Sequence, residues 1–344
     1  MNYSVTYYQK SQIRSLEKEW KLLEKGGDMT LFQSYDWNYM YTEVLLPDNN
    51  SNYESVYVLI CRDKLPVLIA PLWVVKKRFR VVNTKGISII GNESWSDYLN
   101  LVYDEFDEMA FEFLLTQLEN RYKIRKCYFH QLRESSRLYN YICAKKNVKK
   151  KSLTICVSLE LPTCVDEYEK LLSKSTRQNI RTANNRLKKD GVSMQFVWDD
   201  VSIDKALCIR MKEERTRRIY AGNVSYLRRI KNRWEYRLRF HFHSFYPMNH
   251  FAQSKFMTAY DEQGHLCAWF NYIVDISRKT ILVISAGTND DFARYSPGIL
   301  LMHEFIHHAI EEGLKVVDFT RGDERYKFVL GGKPHDNFDV EFMI

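Results

Sequence analysis

Arg294–Lys327 reads RYSPGILLMHEFIHHAIEEGLKVVDFTRGDERYK, and this stretch decides the fold. Pro297 and Gly298 make a turn that opens a helix, since proline fits the first helical turn, where no intrahelical N–H bond is needed. Apolar residues recur at helical spacing from Ile299 onward, and Gly313 closes the run. Val316, Val317 and Phe319 then form a short apolar strand that delivers Asp318, Arg321, Asp323, Glu324, Tyr326 and Lys327 to one place. A helix N-terminus offers unpaired N–H groups and the positive end of its dipole, which suits a phosphate-bearing ligand. The carboxyl end of a buried strand is where α/β arrangements collect ligand-facing groups. Tyr326 can donate a proton to a leaving group, and Arg321 or Lys327 can pair with phosphate. Read locally, the same residues also fit an N-capping turn and a polar loop with surface ion pairs.

Outward from this stretch, the 344 residues exceed the usual span of one hydrophobic core, so two domains are expected, over residues 1–150 and 151–344. With 45% hydrophobic and 27% charged residues, the composition is that of a globular protein, not a disordered one. The first residues carry no apolar signal-like run, and Val67–Val75 is too short to span a bilayer, so the expected compartment is the cytoplasm. Seven scattered cysteines without a CxxC pair indicate free thiols and neither a disulfide framework nor a structural zinc site.

The net charge of +8 is concentrated in the middle of the chain. Lys174–Lys189 holds six basic residues and no acidic one, and Arg210–Arg239 holds eleven against three. Such local fields attract phosphates on a cofactor, a nucleotide- or lipid-linked acceptor, or nucleic acid. In Arg210–Arg239, Tyr220, Tyr226, Trp234, Tyr236 and Phe240 are interleaved with the basic residues. That pattern fits stacking on nucleic acid, and equally a helix face whose long basic side chains lie over a core.

The first half reads as helices over Ser11–Lys25 and Asp36–Leu46, a hairpin of Ser55–Cys61 with Pro66–Val75, and strands at Gly86–Ile90 and Tyr98–Val102. A helix from Glu105 to Tyr122 and a strand at Cys127–Gln131 follow. The second half runs from strand Ser152–Leu161 through helices over Val165–Lys189, strand Ser193–Trp198 and helices over Asp204–Arg218 and Ser225–Phe242. Strands at Lys255–Tyr260, His265–Asp275 and Thr280–Ala286 lead into the Gly298–Glu312 helix, and strands Lys315–Phe319 and Phe338–Met343 end the chain. This is an α+β order, and the two halves read as distant copies of one unit.

Taken together, Tyr295-Ser296-Pro297-Gly298, the helix closing at Gly313, Asp318-Phe319, Arg321-Gly322, Glu324 and Tyr326-Lys327 resemble the CelD-like acyltransferases of the GNAT superfamily. That family is related to the FemAB aminoacyltransferases. Phe32–Trp37, Ala70-Pro71-Leu72, Ser96-Asp97-Tyr98 and the basic helix Lys174–Gly191 with Arg177, Arg181 and Arg186 resemble other parts of it. The resemblance implies tandem GNAT-like subdomains, each a mixed, mostly antiparallel sheet flanked by helices. It implies transfer of an acyl group, acetyl or other, from acyl-CoA to an amine by direct attack in a ternary complex. The acceptor class it implies is a sugar or envelope precursor, free or linked to a nucleotide or lipid.

Under this resemblance Arg294, Tyr295, Ser296, Gly298, Ile299 and Leu300 form the pyrophosphate turn, and Ser285 lies on the strand whose main chain meets the thioester oxygen. Pro297 occupies the position of the superfamily's first glycine. Asp318 or Glu324 takes the amine proton and Tyr326 protonates the thiolate, while Asp97, Arg177, Arg181, Arg321 and Lys327 meet the acceptor. A FemAB-like reading replaces the donor by aminoacyl-tRNA.

His303-Glu304-Phe305-Ile306-His307 also spells the zinc-peptidase signature, two histidines one helical turn apart. No histidine follows six residues after His307, and Glu324 is the available downstream carboxylate. The helix needs Leu300, Leu301, Phe305, Ile306 and Ile310 against a sheet, which sets His303 and His307 beside the core as packing residues. The reading therefore assigns no metal. A zinc peptidase and a noncatalytic nucleic-acid binder stand as the readings from other classes.

Overall fold

The computed structural model describes residues 2–45, 53–76, 85–91, 96–221, 251 and 253–344. The chain divides into Met1–Ile155 with His335–Ile344, and Cys156–Pro334. The last ten residues thus belong with the first unit, although the sequence reading kept them in the second.

In the first unit, β1 (Tyr3–Gln9) is followed by a 3-10 segment, Lys10–Leu16, and then α1 (Glu17–Leu23) and α2 (Tyr35–Leu45). β2 (Tyr53–Arg62) and β3 (Leu65–Val75) form a hairpin, with both residues of its turn, Asp63 and Lys64, at positive φ. That is the turn geometry whose twist matches a two-residue hairpin. β4 (Gly86–Ile89), α3 (Glu108–Tyr122), β5 (Lys126–Arg133) and α4 (Arg137–Lys145) follow. Asp107 caps α3 by accepting the Ala110 N–H at 3.0 Å. β4 and β5 pair in parallel across α3, and β12 (Lys333–Met343) adds antiparallel to β5. The strand order is β1-β2-β3-β4-β5-β12.

β6 (Val148–Glu160) carries the chain into the second unit. There α5 (Val165–Leu171), α6 (Lys174–Asp190), β7 (Gln195–Val197) and α7 (Lys205–Ala221) precede the meander β8 (Ser254–Tyr260), β9 (Leu266–Asp275) and β10 (Thr280–Thr288). α8 (Pro297–Glu311) crosses from β10 to the parallel strand β11 (Val316–Arg321), and α9 (Arg325–Val329) follows. Listed from its far edge, the order is β7-β8-β9-β10-β11-β6. Each unit is an antiparallel meander, a helical crossover to a parallel neighbour, and one further antiparallel strand. A parallel pair requires such a crossover, so the helix between the pair is dictated by the topology. The repeated α+β unit expected from sequence is therefore present.

Several local expectations change. Ser11–Lys25 is a 3-10 segment plus a short helix, and β1 precedes it. Tyr98–Val102 makes only the single bridge Ile69–Val102. The helices expected over Val165–Lys189 are two, as read, and part at Ser173, which leaves the helical conformation and whose Oγ accepts the Thr176 N–H at 3.0 Å, starting α6 afresh. Trp198, half-buried, follows β7 and stacks on Phe305 at 4.9 Å. The expected helix over Ser225–Phe242 lies outside the described residues, as do Tyr226, Trp234, Tyr236 and Phe240.

α8 is the centre of the second core. Leu301, Phe305, Ile306 and Ala309 are fully buried, and the Phe305 ring meets Phe270 at 4.5 Å and Tyr272 at 5.0 Å. Phe305→Ala removes the ring that joins α8 to β9, and the expected cost is about 3–5 kcal/mol. Urea denaturation followed by circular dichroism checks this as a lower midpoint.

Candidate active site

β10 and β11 pair through Thr280–Val316, Ile281–Val317 and Leu282–Asp318, and there the parallel ladder ends. Against β9, β10 shifts register between Val283 and Ser285, then stays paired to Thr288. β11 shifts against β6 between Asp318 and Arg321. The two parallel strands therefore part beyond Leu282 and Asp318. Thr320, held at φ 57°, donates its hydroxyl to the Val283 carbonyl at 2.9 Å and occupies the first position of the opening. Positive φ is unfavourable for a β-branched residue, so this bond and the buried site offset a backbone cost. Main-chain groups of β10 beyond this point lack β11 partners, and a ligand in the gap can hydrogen-bond to them.

Ser285 follows the irregularity, is 7% exposed, and accepts a hydrogen bond from the Lys212 ammonium on α7. Lys212 was not singled out from sequence. Its approach to Ser285 depends on the α7–β10 packing, which no local pattern encodes.

The turn lies at the far end of β10. A 3-10 segment, Asp290–Tyr295, leads to Ser296 in the left-handed conformation, and Pro297 opens α8. The Ser296 carbonyl accepts the Ile299 N–H at 3.0 Å and the Leu300 N–H at 3.2 Å, while its exposed side chain makes no capping bond. The turn thus satisfies two of the first-turn donors itself, leaving the Gly298 N–H and the helix dipole for an anion. Gly298 has a packing reason as well: a Cβ there would lie 2.7 Å from Thr288 Cγ2. Leu300 is buried, so only its main chain faces the turn.

Arg294 pairs with Asp190 at 2.7 Å, and the Tyr295 hydroxyl donates to the same carboxylate at 2.9 Å. This hydrogen bond, with some desolvation, raises the Tyr295 phenol above its ordinary pKa. Arg186 donates to the Arg294 carbonyl at 3.0 Å. The end of α6 therefore anchors the turn. A cavity of about 310 Å³ beside it is walled by Asp261, Glu262 and Asp291. Those carboxylates repel a polyanion, so a phosphate fits the β10 side of the turn better than this one.

Past β11, Lys327 is 2% exposed and its ammonium donates to the carbonyls of Thr320, Arg321 and Gly322 at 3.4, 2.8 and 3.0 Å. It also pairs with Glu324 at 2.9 Å. Lys327, expected from sequence to meet an acceptor, is committed to holding its own loop. Gly322 sits at φ 113°, and a Cβ on it would lie 2.4 Å from Glu324 Oε2, so the loop folds the carboxylate back over a glycine. Asp318 is buried and accepts the Thr320 N–H at 2.7 Å. The half-buried Tyr326 meets Phe319 edge-on at 6.2 Å, and Arg321 is exposed.

The structure thus groups Asp318, Arg321, Glu324, Tyr326 and Lys327 at one corner beside the β10–β11 opening, with the 294–300 turn at the end of β10. Arg177 is elsewhere: it donates to the Glu169 and Leu172 carbonyls at 2.9 and 2.6 Å, capping α5. Arg181 is exposed on α6, and Asp97 belongs to the first unit, buried before Tyr98.

Residues 174–328 match the family model described as the acetyltransferase (GNAT) domain. The protein is an acyltransferase with a GNAT domain. No curated protein matches the sequence significantly. Among solved structures, the acyltransferase is similar to FemX, at 10% identity over 99% of this chain and 97% of that one, with a TM-score of 0.62. It is similar to a conserved protein of unknown function from Bacteroides thetaiotaomicron, at 10% identity over 99% and 100% of the two chains, with a TM-score of 0.55. It is also similar to a tandem GNAT protein from the clavulanic acid biosynthesis pathway, at 9% identity over 100% and 98%, with a TM-score of 0.51. These likenesses are of fold, and they extend over both units of the acyltransferase. No described helix is long and apolar enough to cross a membrane.

Lys327 and Glu324 make unequal contributions to the acyltransferase corner. Lys327→Met strands three carbonyls and is expected to cost about 3 kcal/mol. Glu324→Gln, at a half-exposed carboxylate, is expected to cost under about 1 kcal/mol. Paired urea titrations of the two variants check the contrast.

Proposed function

We propose that the acyltransferase takes its acyl group from acyl-CoA, acetyl-CoA in the simplest case, and passes it to an amino group of a sugar or envelope precursor. The parting of β10 from β11, with the α8 turn at the end of the same strand, is the observation that carries this reading. A long thioester donor needs a slot where strand main chain is unpaired and a site for phosphate at one end of it. The gap beyond Leu282 and Asp318 supplies the slot, and the Gly298 N–H, the Ser296 hydroxyl and the α8 dipole supply the phosphate end.

A thioester donor supplies an activated carbonyl and a good leaving group. The protein's work is then to hold the carbonyl against N–H donors of β10, take a proton from the acceptor's ammonium so that the neutral amine attacks, and return one to the departing sulfur. Asp318 and Glu324 are the proposed bases, with Glu324 the more accessible to an acceptor. Tyr326, beside Phe319, is the proposed acid, and Ser285 with Lys212 orders the strand at the carbonyl. Arg321, exposed at the end of β11, is placed to meet an anionic group on the acceptor, and the resemblance to CelD-like enzymes favours a polysaccharide or envelope amine.

Thiol release from acetyl-CoA, measured with a panel of amino sugars and their nucleotide-linked forms, tests the reading. Tyr326→Phe is expected to lower kcat by about 100-fold or more while leaving KM for the donor unchanged. Full activity in an Asp318→Asn, Glu324→Gln double variant would dispose of the carboxylate base. Thermal stabilisation by aminoacyl-tRNA and none by acyl-CoA would replace the thioester donor with the FemAB-like one.

A further inference from the structure

Helical spacing places His303 and His307 one turn apart on α8, the face that meets α5. Both ring nitrogens converge on a single atom: His303 Nε2 lies 2.5 Å and His307 Nε2 2.8 Å from Glu169 Oε1. The three ligand-type atoms fall within 4.8 Å of one another. Tyr168 floors the group, its ring 5.9 Å from His303 and 5.8 Å from His307, and its own hydroxyl is taken up by the Leu330 carbonyl at 3.2 Å. Glu324, the carboxylate that sequence suggested as a partner for these histidines, is instead bound to Lys327. The partner is Glu169, from a different helix and 134 residues before His303. The histidines are thus more than packing residues.

Two imidazoles and one carboxylate are the donor set of zinc-type ions, whereas calcium and magnesium require six or more oxygens. Burial, reinforced by the neighbouring His307, holds His303 below the ordinary histidine pKa, so its ring is neutral at pH 7, the ligating form. The Glu169 carboxyl is pushed up by burial but held below its usual range overall by the hydrogen bond from His307 and by His303. Metal bonds of about 2.0–2.1 Å in tetrahedral geometry set ligand atoms about 3.3 Å apart. The two nitrogen–oxygen distances reach that spacing by opening less than about 1 Å. His307 and Glu169 keep 22% and 34% of their side-chain surface, which gives an ion a path from solvent.

We propose that Glu169, His303 and His307 form a binding site for one divalent transition-metal ion of the zinc type, clamping α5 to α8. A fourth coordination position is left to water. The site is a structural clamp and not a peptidase centre, because Glu304, the signature's base, is solvent-exposed and the carboxylate at the histidines comes from another helix. It stands independently of the donor assigned to the acyl-transfer site.

The test uses the full chain, freed of metal by chelation and titrated with Zn²⁺ in competition with a chromophoric chelator. The expected result is one equivalent per chain and a higher Tm in the wild type. Glu169→Gln and His307→Gln, each first shown by circular dichroism to be folded, are expected to weaken binding by at least about 100-fold, since even outer partners of a metal cost 10–100-fold. Co²⁺ in the wild-type protein adds a readout that needs no variant, with an intense visible spectrum expected from four-coordinate geometry. Absence of Zn²⁺ binding, unchanged affinity in both folded variants, or a weak six-coordinate Co²⁺ spectrum would overturn the proposal and leave a hydrogen-bonded helix contact.

Discussion

Everything in the second unit is arranged around the separation of two parallel strands that would otherwise pair along their whole length. A ladder broken in the interior exposes main-chain groups with no partner, and a protein accepts that cost only where other contacts hold the break open. Here the irregularity of β10 between Val283 and Ser285 turns one strand, and the left-handed Thr320 turns the other. The Thr320 hydroxyl closes the apex on the Val283 carbonyl, so the opening begins at a defined residue pair. Lys327 then fastens the chain just past β11 from beneath.

The contributions of charge follow from that frame. Three basic residues expected from sequence to meet phosphate or acceptor are spent on backbone: Arg177 on the end of α5, Arg186 on the carbonyl of Arg294, Lys327 on its own loop. Arg294 is matched by Asp190. Through Arg186 and Asp190, α6 positions the turn. In the proposed reading, recognition at the turn rests on the helix end and main-chain N–H groups, which attract anions without needing a free side chain.

Much of this was legible in the sequence because it depends on local rules. The Pro297 start and Gly313 end of α8 and the apolar strand Val316–Phe319 each carry their own signal, and the tandem α+β pattern follows from the order of such elements. The corner Asp318–Lys327 was legible for the same reason, since its groups fall within ten consecutive residues. What escaped detection joins distant segments. Glu169 meets His303 across 134 positions, Lys212 meets Ser285 across 73, and neither helix carries a pattern that names its partner.

Each unit completes its sheet with a strand lying outside its own meander, and for the first unit that strand follows the whole second unit in chain order. β12 pairs with β5, buries Asn337 and Phe342 fully, and stacks Phe338 on Tyr139 at 5.0 Å. The amino-terminal unit therefore waits, with the edge of β5 uncovered, through synthesis of the whole second unit. Its final closure spans about two hundred residues of intervening chain, the kind of long-range pairing that makes folding slow. Nascent chains of this protein consequently carry an open sheet edge until β12 is made, and that strand sets the moment at which the amino-terminal sheet is sealed.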